Sequence, residues 1–314
     1  MKELTNPHDA FIKWYFEQPE ARIDFVKEYL PPKISACVDI SKLELDKTSY
    51  VDQKLQESFS DVVIKTQLKN GSNAIVYFLI EHKSYPDPWA PFQLLRYMVR
   101  IWEAFLYNQK PDSPPQFLPI IFPVILYHGD SDWNRKTHFN TMFEPNQVFN
   151  EFLPNFRYHL WDLHPLSDSE IKGSLITKAA LITLKHAFSS DFPIVLPKII
   201  QLLKTIDSNS TGLQCLETFL KYFICAAKSI EIEHLKQILE NAIPEKGGMI
   251  MATIAETLFN KGAEEGEIKG KIEGKIEALK ETIQKMLIKG FSIEDIAQIM
   301  ELPIEEIKKL STQH

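Results

Sequence analysis

The sequence predicts an α/β domain followed by two helical segments. The first 165 residues alternate between helical and strand-like apolar patterns in the order helix, strands, helix, strand, which is typical of α/β domains. From residue 167 the apolar spacing becomes helical, and from residue 247 the chain is rich in lysine and glutamate. We therefore expect domains at 1–165, 166–246 and 247–314.

The N-terminal element is predicted to be an interrupted helix. Apolar residues recur at helical spacing across residues 8–30. Proline disfavours a helix interior, so we expect a break at Pro19 and an end at Pro31.

A β-hairpin is expected next. The segments SFSDVVIKTQL and AIVYFLIEHKS are strand-like, and the linking KNGSN contains an Asn-Gly turn signal. An amphipathic helix is expected from about Pro91, and two more strands are expected at LPIIFPVILYHG and FRYHLWDL. Pro119 and Pro123 are unusual inside a strand. Four helices are expected between residues 167 and 242, the first covering SEIKGSLITKAALITLKHAF.

Composition and charge narrow the class of protein. Hydrophobic residues make up 44% of the chain and charged residues 25%, as in ordinary globular proteins. No apolar stretch approaches the ~18–20 residues of a membrane span, and the N-terminus lacks a signal-like apolar segment. The three cysteines lack metal-ligand spacing, which favours a reducing, cytoplasmic location. The net charge of −7 argues against a simple nucleic-acid binder but does not exclude a nuclease.

The end of the second hairpin strand carries the most informative residues. Glu81 and Lys83 are two apart on a strand, so their side chains share a face. Asp61 lies in the partner strand. With a three-residue loop, the numbers of two paired residues add up to 142, and Asp61 then lies opposite Glu81. With a two- or four-residue loop, the side chain of Asp61 points to the other face of the sheet.

Two neighbouring carboxylates and a lysine suit phosphodiester hydrolysis. The carboxylates repel by about 1 kcal/mol in water at ~4 Å, and by more near a protein surface. Mg²⁺ would relieve this repulsion, since it prefers carboxylates, waters and phosphate oxygens. Lys83 could then neutralise developing charge or orient a water. The alternative is a solvent-exposed Glu/Lys pair at a hairpin end.

Five segments in order resemble a known family. PHDAFIKWYF, SFSDVVIK, YFLIEHKSYPD, QLLRYMVRIWE and FPVILYHG followed by a Trp are similar to the Rpn family of recombination-promoting nucleases, also labelled YhgA-like transposases. This family resembles the PD-(D/E)xK nuclease superfamily. The resemblance implies a restriction-endonuclease-like core, with a central mixed sheet flanked by helices, and Mg²⁺-dependent cleavage of DNA, with Mn²⁺ as a substitute.

The resemblance also implies roles for individual residues. By position, Asp61 and Glu81 match the two metal-binding acids, Lys83 the catalytic lysine and Gln93 a glutamine of the following helix. Ser60 stands where the family has an apolar residue before the first acid. Asp9 resembles an additional acid that some such enzymes carry on the first helix, although it could instead cap that helix.

Other candidates are weaker. Gln93 and Tyr97 share a helix face that could look into the site or into solvent. His82 alternates away from the face of Glu81 and Lys83, and His128 is expected in a turn. The chain contains no Walker loop, dinucleotide fingerprint or serine-hydrolase elbow.

The C-terminal segment has two interpretations. Gly262, Gly266, Gly270 and Gly274 recur every four residues. Each glycine costs a helix about 1 kcal/mol relative to alanine, so a helical stripe of them indicates close helix–helix contact and a homo-oligomer. A flexible charged linker is the alternative. Beyond it, the segment from Ser292 resembles a capped helix-turn-helix.

Together these patterns predict a cytoplasmic, metal-dependent DNA endonuclease. The competing hypothesis is a non-cleaving DNA-binding or regulatory protein on a nuclease fold. Transposition has less support, because one E-x-K site offers hydrolysis but shows no strand-joining machinery.

Overall fold

A computed structural model describes residues 7–46, 62–70, 75–109, 115–145, 148–189 and 192–205, together with parts of 215–241 and residues 277–307 except 278, 301 and 306. The chain forms two compact units, residues 1–251 and 252–314. This boundary lies close to the predicted one at 246/247, whereas the predicted boundary at 165/166 falls inside the first unit. Asp61 and the glycine stripe lie outside the described residues.

The first unit contains a five-stranded mixed sheet in the order β1-β2-β3-β4-β5. β1, β2 and β3 pair antiparallel, and β3, β4 and β5 pair parallel. The strands are Glu44–Leu45, Val62–Gln67, Ile75–Lys83, Ile120–Tyr127 and His159–Asp162.

The hairpin register is the one whose paired numbers sum to 142. Val62 pairs with Ile80, and the pairing continues in step to Gln67 and Ile75. β4 runs as an unbroken parallel strand despite Pro123, which pairs with Leu79. The predicted strands are therefore confirmed, and Pro123 is accommodated within one.

Short helices precede the sheet. α1 (Pro7–Glu17) ends just before Pro19, where α2 (Pro19–Asp24) begins and continues into a π-helical turn, Phe25–Tyr29. α3 (Pro32–Cys37) follows. Proline thus begins each helix, where its missing N–H costs nothing. The predicted break at Pro19 is confirmed.

One face of the sheet is covered by α4 (Ala90–Tyr107). Its buried side packs against alternate residues of the strands, including Val63, Leu79 and Ile125. Tyr97 belongs to this core, because it lies on the buried side of α4. Of the two alternatives for the face shared by Gln93 and Tyr97, exposure to solvent is therefore wrong for Tyr97.

The opposite face is covered by the N-terminal helices. Phe25 packs edge-on against Phe78 and also contacts Trp161, with ring centroids 5.7 and 5.3 Å apart. Side chains of β3 alternate between the two faces, so odd-numbered residues face α4 and even-numbered ones face these helices.

α5 (Leu175–His186) and α6 (Phe192–Thr205) complete the described helices of this unit up to residue 205. Ser174 caps α5, and the preceding Gly173 has a φ of +106°, so the helix begins later than the predicted Ser169. The Asp24 carboxylate accepts hydrogen bonds from Ser174 N (2.8 Å) and Thr177 Oγ1 (2.7 Å). These bonds join α5 to α2, so the two predicted domains share one unit.

The second unit is small and helical where it is described. α7 (Ile293–Met300) starts at Ser292, whose hydroxyl bonds Asp295 in the predicted capping arrangement. Ile283, Ile296, Ala297 and Ile307 form its core. Within the described portion of the chain, no helix has the length and apolar character to cross a bilayer.

Candidate active site

The candidate site lies where β3 ends. Lys83 Nζ lies 2.9 Å from Glu81 Oε1, and both side chains are only about a tenth exposed. The two residues face α4 because they alternate with His82 along the strand. The alternative interpretation, that Glu81 and Lys83 form a solvent-exposed pair at a hairpin end, is therefore wrong, because both side chains are nearly buried.

α4 contributes Gln93 to the same position. Lys83 Nζ donates a hydrogen bond to Gln93 Oε1 at 2.5 Å. Gln93 lies in the first turn of α4, and the core residue Leu94 beside it fixes the rotation of the helix. The structure thus brings together Glu81, Lys83 and Gln93, and their roles in catalysis stay predictions.

Asp87 is a member of the site that sequence reasoning missed. Its Oδ2 lies 3.1 Å from Lys83 Nζ, and its Oδ1 accepts a hydrogen bond from Trp89 N at 2.8 Å. The residue is buried, with 7% exposure. Its position could have been inferred from the sequence, because an aspartate shortly before the predicted helix start is a common turn and capping residue.

The neighbouring loop is built by the LYHG segment. His128 N donates to Lys83 O at 3.0 Å, which continues the pairing beyond β4. Gly129 follows, and a Cβ at this position would collide with the Ser84 carbonyl and the Tyr127 ring. Only glycine fits here, and its close approach supports the backbone just after Lys83.

The charges of the site keep Lys83 protonated. Burial lowers the pKa of Lys83, but the Glu81 and Asp87 carboxylates more than offset this effect and raise it above its usual value. Lys83 is therefore a cation at neutral pH and cannot accept a proton there. Two carboxylates and one ammonium leave one net negative charge on this group.

Asp61 directly precedes β2 and lies outside the described residues. The described register, in which Val62 pairs with Ile80, is the register that the two-carboxylate hypothesis requires. The pairing of Asp61 with Glu81 and its part in metal binding stay predictions.

Asp9 is placed on the other face of the sheet. Its Oδ1 lies 2.5 Å from Nε2 of His82, and Asp9 is 6% exposed. It lies within the first turn of α1, where it contacts the sheet through His82. The structure therefore does not group Asp9 with Glu81 and Lys83, because His82 points away from that face. The predicted metal role of Asp9 gains no support from this contact.

Further histidines surround that contact. The rings of His8 and His82 each lie within 6 Å of the fully buried ring of His128, at 5.2 and 5.9 Å. His8 Nδ1 lies 2.8 Å from the hydroxyl of Tyr222. Burial and the neighbouring His82 lower the pKa of His8 to about 4, although Asp9 opposes this. The three residues His8, His82 and His128 form a packed histidine cluster, and His128 itself is fully buried just after β4.

The donor set beside Lys83 suits a hard cation. Carboxylate oxygens are what Mg²⁺ prefers, and one or two carboxylates with waters and a phosphate complete a usual magnesium site. Glu81 and Asp87 provide two carboxylates in the described chain. No group of three or more His, Cys, Asp or Glu side chains that could hold a metal occurs among the residues that the structure describes.

Comparison with known proteins identifies the family. Residues 6–214, which include the whole described sheet, match a family model described as "Putative transposase, YhgA-like". The chain belongs to this family. The resemblance of the five sequence segments is thereby confirmed at the level of the family.

Curated relatives of this YhgA-like chain carry nuclease names. It is 28% identical to recombination-promoting nuclease RpnC of Escherichia coli K12 over 98% of this chain and 97% of the relative. It is 26% identical to recombination-promoting nuclease RpnD of Escherichia coli O157:H7 over 82% and 95%. A third relative, at 26% identity over 83% and 84%, is the inactive recombination-promoting nuclease-like protein RpnE of Escherichia coli K12. No solved structure matches the chain significantly.

Proposed function

We propose that the protein is a metal-dependent DNA endonuclease with a PD-(D/E)xK-type site. The observation that carries this proposal is the position of Lys83, whose ammonium lies between Glu81, Asp87 and Gln93 at the end of a central strand. The nuclease names of RpnC and RpnD support the same reaction class.

Glu81 and Asp61 would hold Mg²⁺, for which Mn²⁺ can substitute. When bound, such an ion supplies electrophilic activation of a phosphate and lowers the pKa of a bound water. The donor chemistry fits, because carboxylates outnumber ammonium groups at the site.

The protein side chains have separable tasks in this proposal. Lys83, as a permanent cation, binds the phosphate and stabilises the charge that develops on its oxygens. Asp87 and Gln93 orient Lys83 by accepting hydrogen bonds from its remaining N–H groups. Burial of the group excludes bulk water and strengthens each of these interactions.

The test is cleavage of supercoiled plasmid by the full chain with Mg²⁺ or Mn²⁺ and with EDTA. Lys83→Ala and Asp61→Ala are expected to abolish cleavage, and EDTA is expected to abolish it in the wild type. Lys13→Ala, which removes an exposed lysine from α1, is the matched control and should cleave normally.

A non-cleaving DNA-binding role is the second candidate, and the inactive name of the relative RpnE favours keeping it. If neither the plasmid nor single-stranded DNA is cut with either metal, yet the plasmid is retarded on a gel at low salt, that role would be established and the nuclease contradicted.

We also propose that the glycine stripe of the tail mediates self-association. In a helix, this four-residue spacing would place small residues along one side, where two backbones can approach closely.

A further inference from the structure

Three exposed aromatic side chains stand beside the Lys83 group. Tyr85, Trp89 and Phe92 are 60%, 64% and 45% exposed. They fall within the short stretch between the end of β3 and the first turn of α4. Large aromatic residues usually bury most of their surface, so exposed rings beside a candidate active site are candidates for contact with a ligand.

The backbone that carries two of the rings is connected to the site. Trp89 N binds one oxygen of Asp87, while the other oxygen binds Lys83. Phe92 directly precedes Gln93, which accepts from Lys83. Trp89 and Phe92 lie edge to face, with centroids 6.5 Å apart. The backbone of each of these two aromatic residues is thus one covalent or hydrogen-bonded step from a side chain that positions Lys83.

Basic side chains border the same rings. Arg135 is exposed and donates from Nε to Pro86 O at 3.3 Å, between Tyr85 and Asp87. Arg96 follows Phe92 by four residues and therefore lies on the same side of α4. Alternating aromatic planes and cations are the usual means by which proteins bind single-stranded nucleic acid, through base stacking and phosphate contacts.

We propose that Tyr85, Trp89 and Phe92 form a base-stacking platform, so that the enzyme acts on DNA with unpaired bases beside the scissile phosphate. The inference rests on the proposed nuclease function and specifies its substrate. In an intact duplex each base face is covered by its neighbours, so exposed rings gain stacking only from single strands or extruded bases.

The first experiment measures binding in EDTA, so that cleavage does not interfere. A labelled single-stranded 12-mer is bound by the full chain and competed with unlabelled 12-mer or with relaxed closed-circular plasmid, which has no ends. We expect the single strand to compete better per nucleotide. Trp89→Ala and Phe92→Ala should weaken 12-mer binding by about fivefold to 100-fold each and change plasmid binding little.

Two further variants separate stacking from general effects. Trp89→Phe keeps an aromatic plane and should restore most of the binding, whereas Trp89→Leu keeps only apolar bulk and should not. Tyr107→Ala is the matched control, because Tyr107 is 90% exposed at the far end of the same helix. That residue lies roughly 25 Å away along α4, so Tyr107→Ala should bind the 12-mer as tightly as the wild type does.

Tryptophan fluorescence gives an independent readout. Among the five tryptophans only Trp89 is exposed, so stacking should quench its emission when the 12-mer binds. The quench should be absent in Trp89→Phe even though that variant binds.

Several results would overturn the stacking platform. The first is an equal loss of affinity for single strand and plasmid in the Trp89→Ala and Phe92→Ala variants, and the second is unchanged 12-mer binding in Trp89→Ala. The third is a change in oligomeric state as the sole effect, which would show that the rings form a contact between copies of the chain. Failure of the nuclease proposal is distinguishable, since it appears as no metal-dependent cleavage of either supercoiled plasmid or single-stranded DNA, whatever the stacking measurements show.

Discussion

Lys83 and Gln93 are joined by a 2.5 Å hydrogen bond between Nζ and Oε1. The bond connects the end of β3 to the first turn of α4, and the carboxylates of Glu81 and Asp87 hold the same ammonium from other directions. A side chain fixed by several partners is pre-organised, which is what efficient charge stabilisation requires.

Replacing Gln93 tests this positioning role. Gln93→Leu keeps the approximate volume but removes the acceptor, so Lys83 loses one of its three partners. We expect single-turnover cleavage to slow by about 100-fold, with DNA affinity in EDTA nearly unchanged. Gln109→Leu, just beyond the other end of α4, is the control and should cleave at the wild-type rate. An unaltered cleavage rate in Gln93→Leu would show that Gln93 has no part in positioning Lys83 for catalysis.

Glu81 is expected to control the metal requirement. Glu81→Gln removes a charge while keeping a similar shape, and Asp87 and Gln93 still hold Lys83. The Mg²⁺ concentration for half-maximal cleavage should rise by at least about tenfold. Titration with Mg²⁺ at fixed plasmid concentration measures this. The same midpoint in wild type and variant would show that Glu81 does not bind the ion.

Asp87 is expected to contribute to stability. Asp87→Ala loses the ion pair with Lys83 and the hydrogen bond to Trp89 N, so the free energy of unfolding should fall by about 1–3 kcal/mol. Asp87→Asn keeps an oxygen for Trp89 N and should lose less. Urea denaturation measures both, with the exposed Asp130→Ala as control. An Asp87→Ala variant as stable as that control would show that Asp87 does not stabilise the fold.

The histidine cluster predicts sensitivity to acid. The pKa of His8 in the folded chain is about 4, against about 6.5 for an unfolded histidine. Between these pH values the unfolded chain binds a proton that the folded chain does not, so stability is lost as pH falls from 6.5 towards 4. The decrease should be smaller in His8→Phe, which keeps an aromatic ring. Denaturation at pH 7 and 5 measures it, and parallel pH profiles for both proteins would count against this origin.

The glycine stripe predicts the oligomeric state. Gly266→Leu and Gly270→Leu place bulky side chains where two helices would approach closely, so the assembly should dissociate. Sedimentation velocity measures this, and Lys271→Leu, a neighbouring change off the stripe, should have no effect. A wild-type chain that sediments as a monomer would favour the flexible-linker interpretation.

Much of the fold followed from local pattern. Proline positions predicted where α1 ends and α4 begins, and alternation predicted that Glu81 and Lys83 share a face. The partners of Asp9 could not be predicted, because they depend on how α1 packs across the sheet. The burial of Tyr97 could not be predicted for a similar reason, because it depends on how α4 packs on the sheet.

The register of β2 and β3 also constrains how this hairpin can vary in evolution. The parallel pairing with β4 fixes β3, so a slide of β2 by one position would turn Val63 away from the core beneath α4. Insertions or deletions of two residues preserve the side-chain pattern. A viable one-residue change in this turn should therefore be absorbed by a longer loop or a bulge that leaves the register of β2 and β3 unchanged.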